Sequence, residues 1–290
     1  MPARVAYSAL SAGIGTLWLT HEQGIFRKHG LDTNLVYMRS GTTATQALLA
    51  GEIQFNHVSP APIMVAWAQG ADMVWIGTTV QQMVFTLLAD NSITKGADLK
   101  GKKIGITRIG SASDLAVRAA LEYFGLSPRD ITMISMGGIP EILAGMRAGA
   151  ANAGILSPPT STAARDMGYR PLLHIPDLGK EFTFSGIAVK RSFLQSQPEA
   201  AKAFMEALTD GAKIYREDSR AAVRTLKKYM RGEDRILEGG YKEYDLAIAS
   251  PPYPSLKGLE AVRESLIEST PALKQVDLRK FVDDRFVKAK

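Results

Sequence analysis

Short apolar runs alternate with longer amphipathic stretches through the first two thirds of the chain, the pattern of an α/β fold. Strands are expected at Arg4–Ser8, Leu35–Met38, Gln54–Val58, Met73–Thr78 and Val84–Asp90, with helices over Gly15–His29, Thr42–Ala50 and Ala61–Gln69. The pattern then restarts. Strands are expected at Lys102–Thr107, Thr132–Ser135, Ala153–Leu156, Arg170–His174 and Phe182–Val189, and helices over Ser111–Phe124, Ile139–Ala148 and Pro158–Met167. After that only helices are expected. The first opens on Ser196-Gln197-Pro198-Glu199, which fits a capping box with Ser196 as the cap, and carries Phe204, Ala207, Leu208, Gly211, Ile214 and Tyr215 on one face. Others fit Arg220–Met230, Ile236–Ile248, Ser255–Ser269 and Leu278–Val287.

Two βα arrays of similar size predict two lobes, each a mixed sheet flanked by helices. At 290 residues a single core would be near its size limit. The expected division is 1–89 with 186–290 as a discontinuous lobe I, and 90–185 as lobe II. The apolar strands Val84–Asp90 and Phe182–Val189 are then the hinge.

Composition mainly excludes. No run approaches the ~20 apolar residues of a membrane-spanning helix. The net charge of +6 is scattered beside acids, as on solvated faces, so a nucleic-acid partner is not expected. There is no cysteine, which removes disulfides and thiolate chemistry. His21 and Glu22 begin like a zinc-protease helix, but Ile25 stands where the second histidine belongs. Gly96–Lys103 lacks the Ser or Thr of a phosphate loop, Gly13-Ile14-Gly15 lacks the third glycine of a dinucleotide fingerprint, and Asp114 replaces the glycine a nucleophile elbow needs. No catalytic residue, metal ligand or cofactor is assigned.

What recurs is a strand, a short Gly/Ser/Thr turn, then a helix: Gly41-Thr42-Thr43 after Arg39, and Gly110-Ser111-Ala112-Ser113 after Arg108. The first turn of a helix leaves N–H donors without partners and carries the positive end of the dipole, so such a turn can hold an anion. Simple N-capping competes with this reading at each turn. Other strand-end turns should line the same cleft: Ser8–Gly13 after the first strand, His57–Ala61 after the third, and Gly137–Pro140 and Leu156–Pro159 in the second lobe, with Ser11, Ala12, Gly13, Ser59, Pro60, Gly138, Pro140 and Ser157 as the candidate ligand contacts. Trp18 is a candidate for stacking on a bound organic group, with core packing an equal competitor.

Several segments resemble the nitrate/sulfonate/taurine-type substrate-binding proteins of ABC importers, and the binding proteins for thiamine-pyrimidine precursors. They are Leu17–Thr33 (LWLTHEQGIFRKHGLDT), Ala47–Phe55 with Gln54 where aspartate is usual, Asp98–Gly105 (DLKGKKIG), Ala148–Ala153 with Asn152 replacing aspartate, and Ser185–Val189 through Phe193-Leu194 to Pro198. The resemblance implies a two-lobed periplasmic-binding-protein fold of the second type, with ligand held at the hinge by the turns around Ser11–Gly13, Gly41–Thr43, Ser59–Pro60, Gly110–Ser113 and Gly137–Pro140. It also implies a monomeric, non-enzymatic importer component in the periplasm, its leader removed or not included. That component captures a small organic anion (a sulfonate, carboxylate or aromatic acid) for an inner-membrane permease. The small wall residues and Trp18 leave room for something larger than nitrate. Two alternatives stand beside this: a cysteine-free enzyme on the same fold, with pyrimidine-precursor or chorismate-type chemistry, and a ligand-sensor domain.

Overall fold

The computed structural model describes residues 1–179 and 182–287. Two five-stranded mixed sheets organise it. The first contains β1 (Pro2–Tyr7), β2 (Asp32–Tyr37), β3 (Phe55–Val58), β4 (Val74–Val80) and, from much later in the chain, β10 (Ser185–Val189), in the order β2-β1-β3-β10-β4. The second contains β5 (Thr86–Ala89), β6 (Lys103–Ile106), β7 (Thr132–Ser135), β8 (Ala153–Leu156) and β9 (Arg170–His174), in the order β7-β6-β8-β5-β9. In each sheet three parallel strands are followed by one antiparallel strand, β10 in the first and β5 in the second. The fold is the expected two-lobed α/β architecture.

The sheets divide the chain earlier than the sequence pattern suggests. β4 ends at Val80 in the first sheet and β5 begins at Thr86 in the second, so the first crossing is 81–85. Thr86–Ala89, placed with lobe I on sequence, pairs with β8 and β9 of lobe II. A short strand buried along its whole length looks the same from either sheet, so hydropathy alone could not assign it. The return runs between β9 and Ser185, the residue that opens β10 in lobe I.

Parallel strands need return helices, and α1 (Gly15–Glu22), α2 (Ile25–Lys28), α3 (Gly41–Leu49) and α4 (Pro60–Ala68) supply them in lobe I. The single helix expected over Gly15–His29 breaks at Gly24, whose φ of +66° lies in the left-handed region that favours glycine. In lobe II the corresponding helices are α5 (Ala112–Tyr123), α6 (Ile139–Arg147) and α7 (Thr160–Asp166). The tail forms α8 (Arg191–Ser196), α9 (Pro198–Glu217), α10 (Ser219–Tyr229), α11 (Asp234–Asp245) and α12 (Leu256–Leu266). Ser196 does not cap α9. It ends α8 and donates to the Ser192 carbonyl, because Pro198 forces the preceding Gln197 out of helical conformation (φ −138°, ψ 51°) and restarts the helix.

The helix expected over Leu278–Val287 is also absent. A single 3-10 turn, Leu278–Lys280, leads into a bridge between Val282 and Trp75, with the Trp75 N–H donating to the Phe281 carbonyl at 2.8 Å. The open edge of β4 offers unpaired backbone groups, and covering them outweighs local helical preference.

The tail packs chiefly on lobe I. Phe204 of α9 stacks on Phe55 of β3 at 3.9 Å between ring centroids and on Phe26 of α2 at 4.9 Å. It also reaches lobe II, where Arg165 of α7 pairs with Glu243 of α11 at 2.8 Å and Arg235 of α11 with Asp166 of α7 at 2.6 Å.

Gly186 marks the tightest point of the first sheet. A Cβ there would lie 2.0 Å from the Gly77 carbonyl oxygen and 2.5 Å from Trp75 Cζ2. Gly186→Ala should therefore destabilise the protein by about 1–3 kcal/mol or more, read as a lower urea midpoint with an unchanged slope.

Candidate ligand-binding cleft

All six parallel strands end at one cavity of about 60 Å³ between the lobes. Ser8, Ala9, Ser11, Gly13 and Ile14 follow β1; Gly41 follows β2; Ser59 follows β3. From lobe II come Thr107, Ser111, Ala112 and Ser113 after β6, Ile139 after β7 and Ser157 after β8. Phe85 and Phe184 from the two crossings close the floor with Ser185, their rings edge to face at 5.1 Å. The wall thus carries eight hydroxyl side chains and no charged one.

Most of these residues begin a helix. Ser11 caps the 3-10 turn Ala12–Ile14 that leads into α1, accepting from the Gly13 N–H, and Ser59 caps α4, accepting from the Ala61 N–H. Gly41 and Ile139 are the first residues of α3 and α6, and Ser111 precedes α5. The positive ends of several helix dipoles therefore face one small space. In lobe II the hydroxyls of Thr107, Ser111 and Ser113 form a triangle with sides of 2.8–2.9 Å. Its turn is held by Asp114, whose carboxylate accepts from the Gly110 N–H at 2.8 Å and from Arg118 Nε at 2.9 Å. The residue that breaks the nucleophile-elbow pattern is thus the anchor of this turn.

Of the residues chosen on sequence, Ser11, Gly13, Gly41, Ser59, Ser111, Ala112, Ser113 and Ser157 lie on the wall. The others do not. Trp18 is fully buried, stacked on Tyr229 at 4.6 Å and edge-on to Tyr7 at 5.5 Å, so the core reading holds for it. Ala12 is buried with its carbonyl accepting from Tyr215 Oη, and Pro60 begins α4 without an N–H to offer. Thr42 and Thr43 turn their hydroxyls to Ser40, the true cap of α3, at 2.9 and 3.0 Å. Gly110, Gly138 and Pro140 are not part of the cavity wall.

The same loops bring the lobes together. Arg39 of lobe I stands 4.0 Å from Glu141 of lobe II and is 70% exposed, and Arg108 is exposed too, so neither arginine reaches the cavity. Burial, with the Glu141 carboxylate nearby, pushes the Tyr37 phenol up to about 12 at this mouth. On the opposite side Ser11 Oγ lies 2.9 Å from Tyr244 Oη and 3.3 Å from the Pro158 carbonyl. Gly13 makes room there: a Cβ would lie 2.6 Å from the Tyr244 ring. Gly15 does the same for Tyr215, at 2.3 Å. These two glycines serve aromatic packing.

A family model described as NMT1/THI5 like matches residues 13–222. The chain belongs to the NMT1/THI5-like family. A relative in Brucella abortus strain 2308 is 26% identical over 240 residues, 82% of this chain and 74% of that one. The taurine-binding periplasmic protein of Escherichia coli K12 is 25% identical over 179 residues, 61% of this chain and 55% of its own length. In fold, the alkanesulfonate-binding protein of Xanthomonas axonopodis pv. citri, solved bound to MOPS, superposes with a TM-score of 0.83 at 22% identity, covering 98% of both chains.

Ser8, Ala9 and Ile139 lie inside turns expected to line the cleft without having been singled out there, and Ile14 and Thr107 flank such turns, while Phe85, Phe184 and Ser185 come from the crossings, which read only as apolar hinge strands. Behind Ser185, in the core of this NMT1/THI5-like protein, lies a fully buried histidine, His57.

Two measurable consequences follow from these placements. Ser40→Ala should cost about 1 kcal/mol of stability, because the hydroxyl caps α3 and gathers both threonines; urea unfolding would show it. Burial holds His57 down to about 3, below its ordinary value near 6.5. Between those values the unfolded chain binds more protons, so His57 makes stability fall as pH drops from about 6.5 toward 3. Unfolding free energies at pH 7 and pH 4.5 should show wild type losing more than His57→Gln. Equal losses would mean the ring is solvated.

Proposed function

We propose that this chain captures a small organic anion, a short-chain sulfonate or carboxylate, between its lobes and delivers it from the periplasm to an inner-membrane ABC permease. The observation that carries this reading is the wall itself: converging helix N-termini and eight hydroxyls with no acid, base or metal-ligand cluster among them. Backbone N–H groups and hydroxyls are donors to an oxyanion head, and the dipoles favour its negative charge without a counter-cation. Phe85, Phe184, Ile14 and Ile139 face the same space and suit a hydrocarbon or aminoalkyl tail. A wall without Asp, Glu, His, Lys or Arg offers no general acid or base, which favours binding over catalysis.

Size argues for something small. By a measure in which a water occupies about 10–15 Å³, the cavity of about 60 Å³ holds roughly four to six waters. The earlier case against nitrate loses both of its supports, since Trp18 is elsewhere and the cavity is narrow. The apolar part of the wall is what favours an organic anion.

Calorimetric titration with taurine, ethanesulfonate, acetate, benzoate and nitrate tests the reading, and heat of binding from at least one organic anion is expected. Silence from every anion would overturn it. Ser113→Ala should weaken binding by roughly tenfold to a hundredfold, as loss of a charge-assisted hydrogen bond of ~1.5–3 kcal/mol implies. Thr43→Ala, off the wall, should bind as wild type does. Because both crossings line the cavity, ligand is also expected to draw the lobes together, lowering the radius of gyration in small-angle scattering; an unchanged profile at saturation would rule out hinge closure.

A further inference from the structure

A chain of hydrogen bonds runs from the core of lobe I to the cavity wall. His57 Nε2 on β3 lies 2.6 Å from Thr79 Oγ1 on β4, and Thr79 Oγ1 lies 3.2 Å from Ser185 Oγ on β10. All three side chains are buried, and of the three only Ser185 lines the cavity. β10 lies between β3 and β4, so the bond from His57 to Thr79 spans it. Thr79 is the penultimate residue of β4 and Ser185 the first of β10, so the chain ties together the two strands from which the crossings leave this sheet.

Each hydroxyl has one proton, which gives such a chain a direction. In one arrangement the ring carries its proton on Nε2 and donates to Thr79. Thr79 donates to Ser185, and the Ser185 proton is left for the cavity. In the other the ring carries its proton on Nδ1, Thr79 donates to the ring, Ser185 donates to Thr79, and the cavity meets only lone pairs. His57 Nδ1 has no hydrogen-bond partner among the described residues. The second arrangement would therefore bury an N–H donor with nothing to accept it, whereas the first buries only a bare ring nitrogen. Orphaned buried donors are the rarer defect.

We propose that His57 is a positioning residue, held as the Nε2–H tautomer, which fixes the Thr79–Ser185 chain so that Ser185 presents an O–H donor to the bound ligand. The proposal rests on the reading of the cleft as an anion site and adds what sets its polarity from behind. His57 itself touches no ligand. A cleft so wired holds a fixed donor at Ser185 for an oxyanion head, a donor that an ammonium or guanidinium head cannot use.

Long-range 1H–15N correlation spectra of the wild-type protein, with the His57 signal assigned by its loss in His57→Gln, read the tautomer directly. The Nε2–H form is expected, and the Nδ1–H form would overturn the proposal. Titration with ethanesulfonate reads the consequence. His57→Leu and Thr79→Val should each weaken binding about tenfold, and His57→Gln, which restores a donor toward Thr79, should recover most of it. In a Ser185→Ala background His57→Leu should cost nothing further; an undiminished tenfold loss there would overturn the proposal, since the effect would then bypass Ser185. Should no anionic probe bind wild type, anion capture fails as a function, and the tautomer alone decides whether the chain is polarised as stated. Should His57→Leu fail to fold, the spectra and the Gln variant keep the test in force.

Discussion

Three parallel strands in each sheet end at the same edge, and each must turn there into a return helix. That constraint places helix beginnings, with their free N–H groups and positive dipole ends, on both sides of one gap. The two antiparallel strands, β10 and β5, complete the arrangement: each belongs to one sheet while the chain beside it leads into the other, so the crossings form the floor of the same gap. The cavity is thus a consequence of topology, and side chains only refine it. Glycine at 13 and 15 admits two tyrosines, and serines near the helix beginnings keep the wall polar and uncharged.

The turns were legible because they obey local rules. A strand followed by Gly/Ser/Thr and then an amphipathic run announces a helix beginning, and eight residues chosen this way are on the wall. Long-range packing was not legible. Trp18 at the start of a helix reads the same whether it faces a ligand or Tyr229, and only the position of α10 decides. Thr42 and Thr43 read as donors to a ligand, yet their hydroxyls bond to that of Ser40, the cap two and three residues earlier. Asp114 was visible as a departure from a catalytic motif and is the anchor of the Thr107–Ser113 turn. His57 stood in a turn expected near the cleft but had no role of its own, because a lone histidine at the end of an apolar strand gains meaning only from Thr79 and Ser185, neighbours on other strands.

An uncharged wall changes how closure is balanced. Were an arginine to face the cavity, an empty closed cleft would bury a cation without a partner, at a cost of several kcal/mol. Here the hydroxyls of Thr107, Ser111 and Ser113 bond to one another, and Ser11 bonds to Tyr244, so the protein itself satisfies these groups of the wall. The lobes can therefore meet over a small cavity while surface pairs such as Arg165–Glu243 and Arg39–Glu141 hold the rims, each contributing little on its own. An anion of the kind proposed would exchange hydroxyl–hydroxyl bonds for stronger charge-assisted ones, and that difference, rather than rescue of a stranded charge, would be the free energy available to favour a closed form.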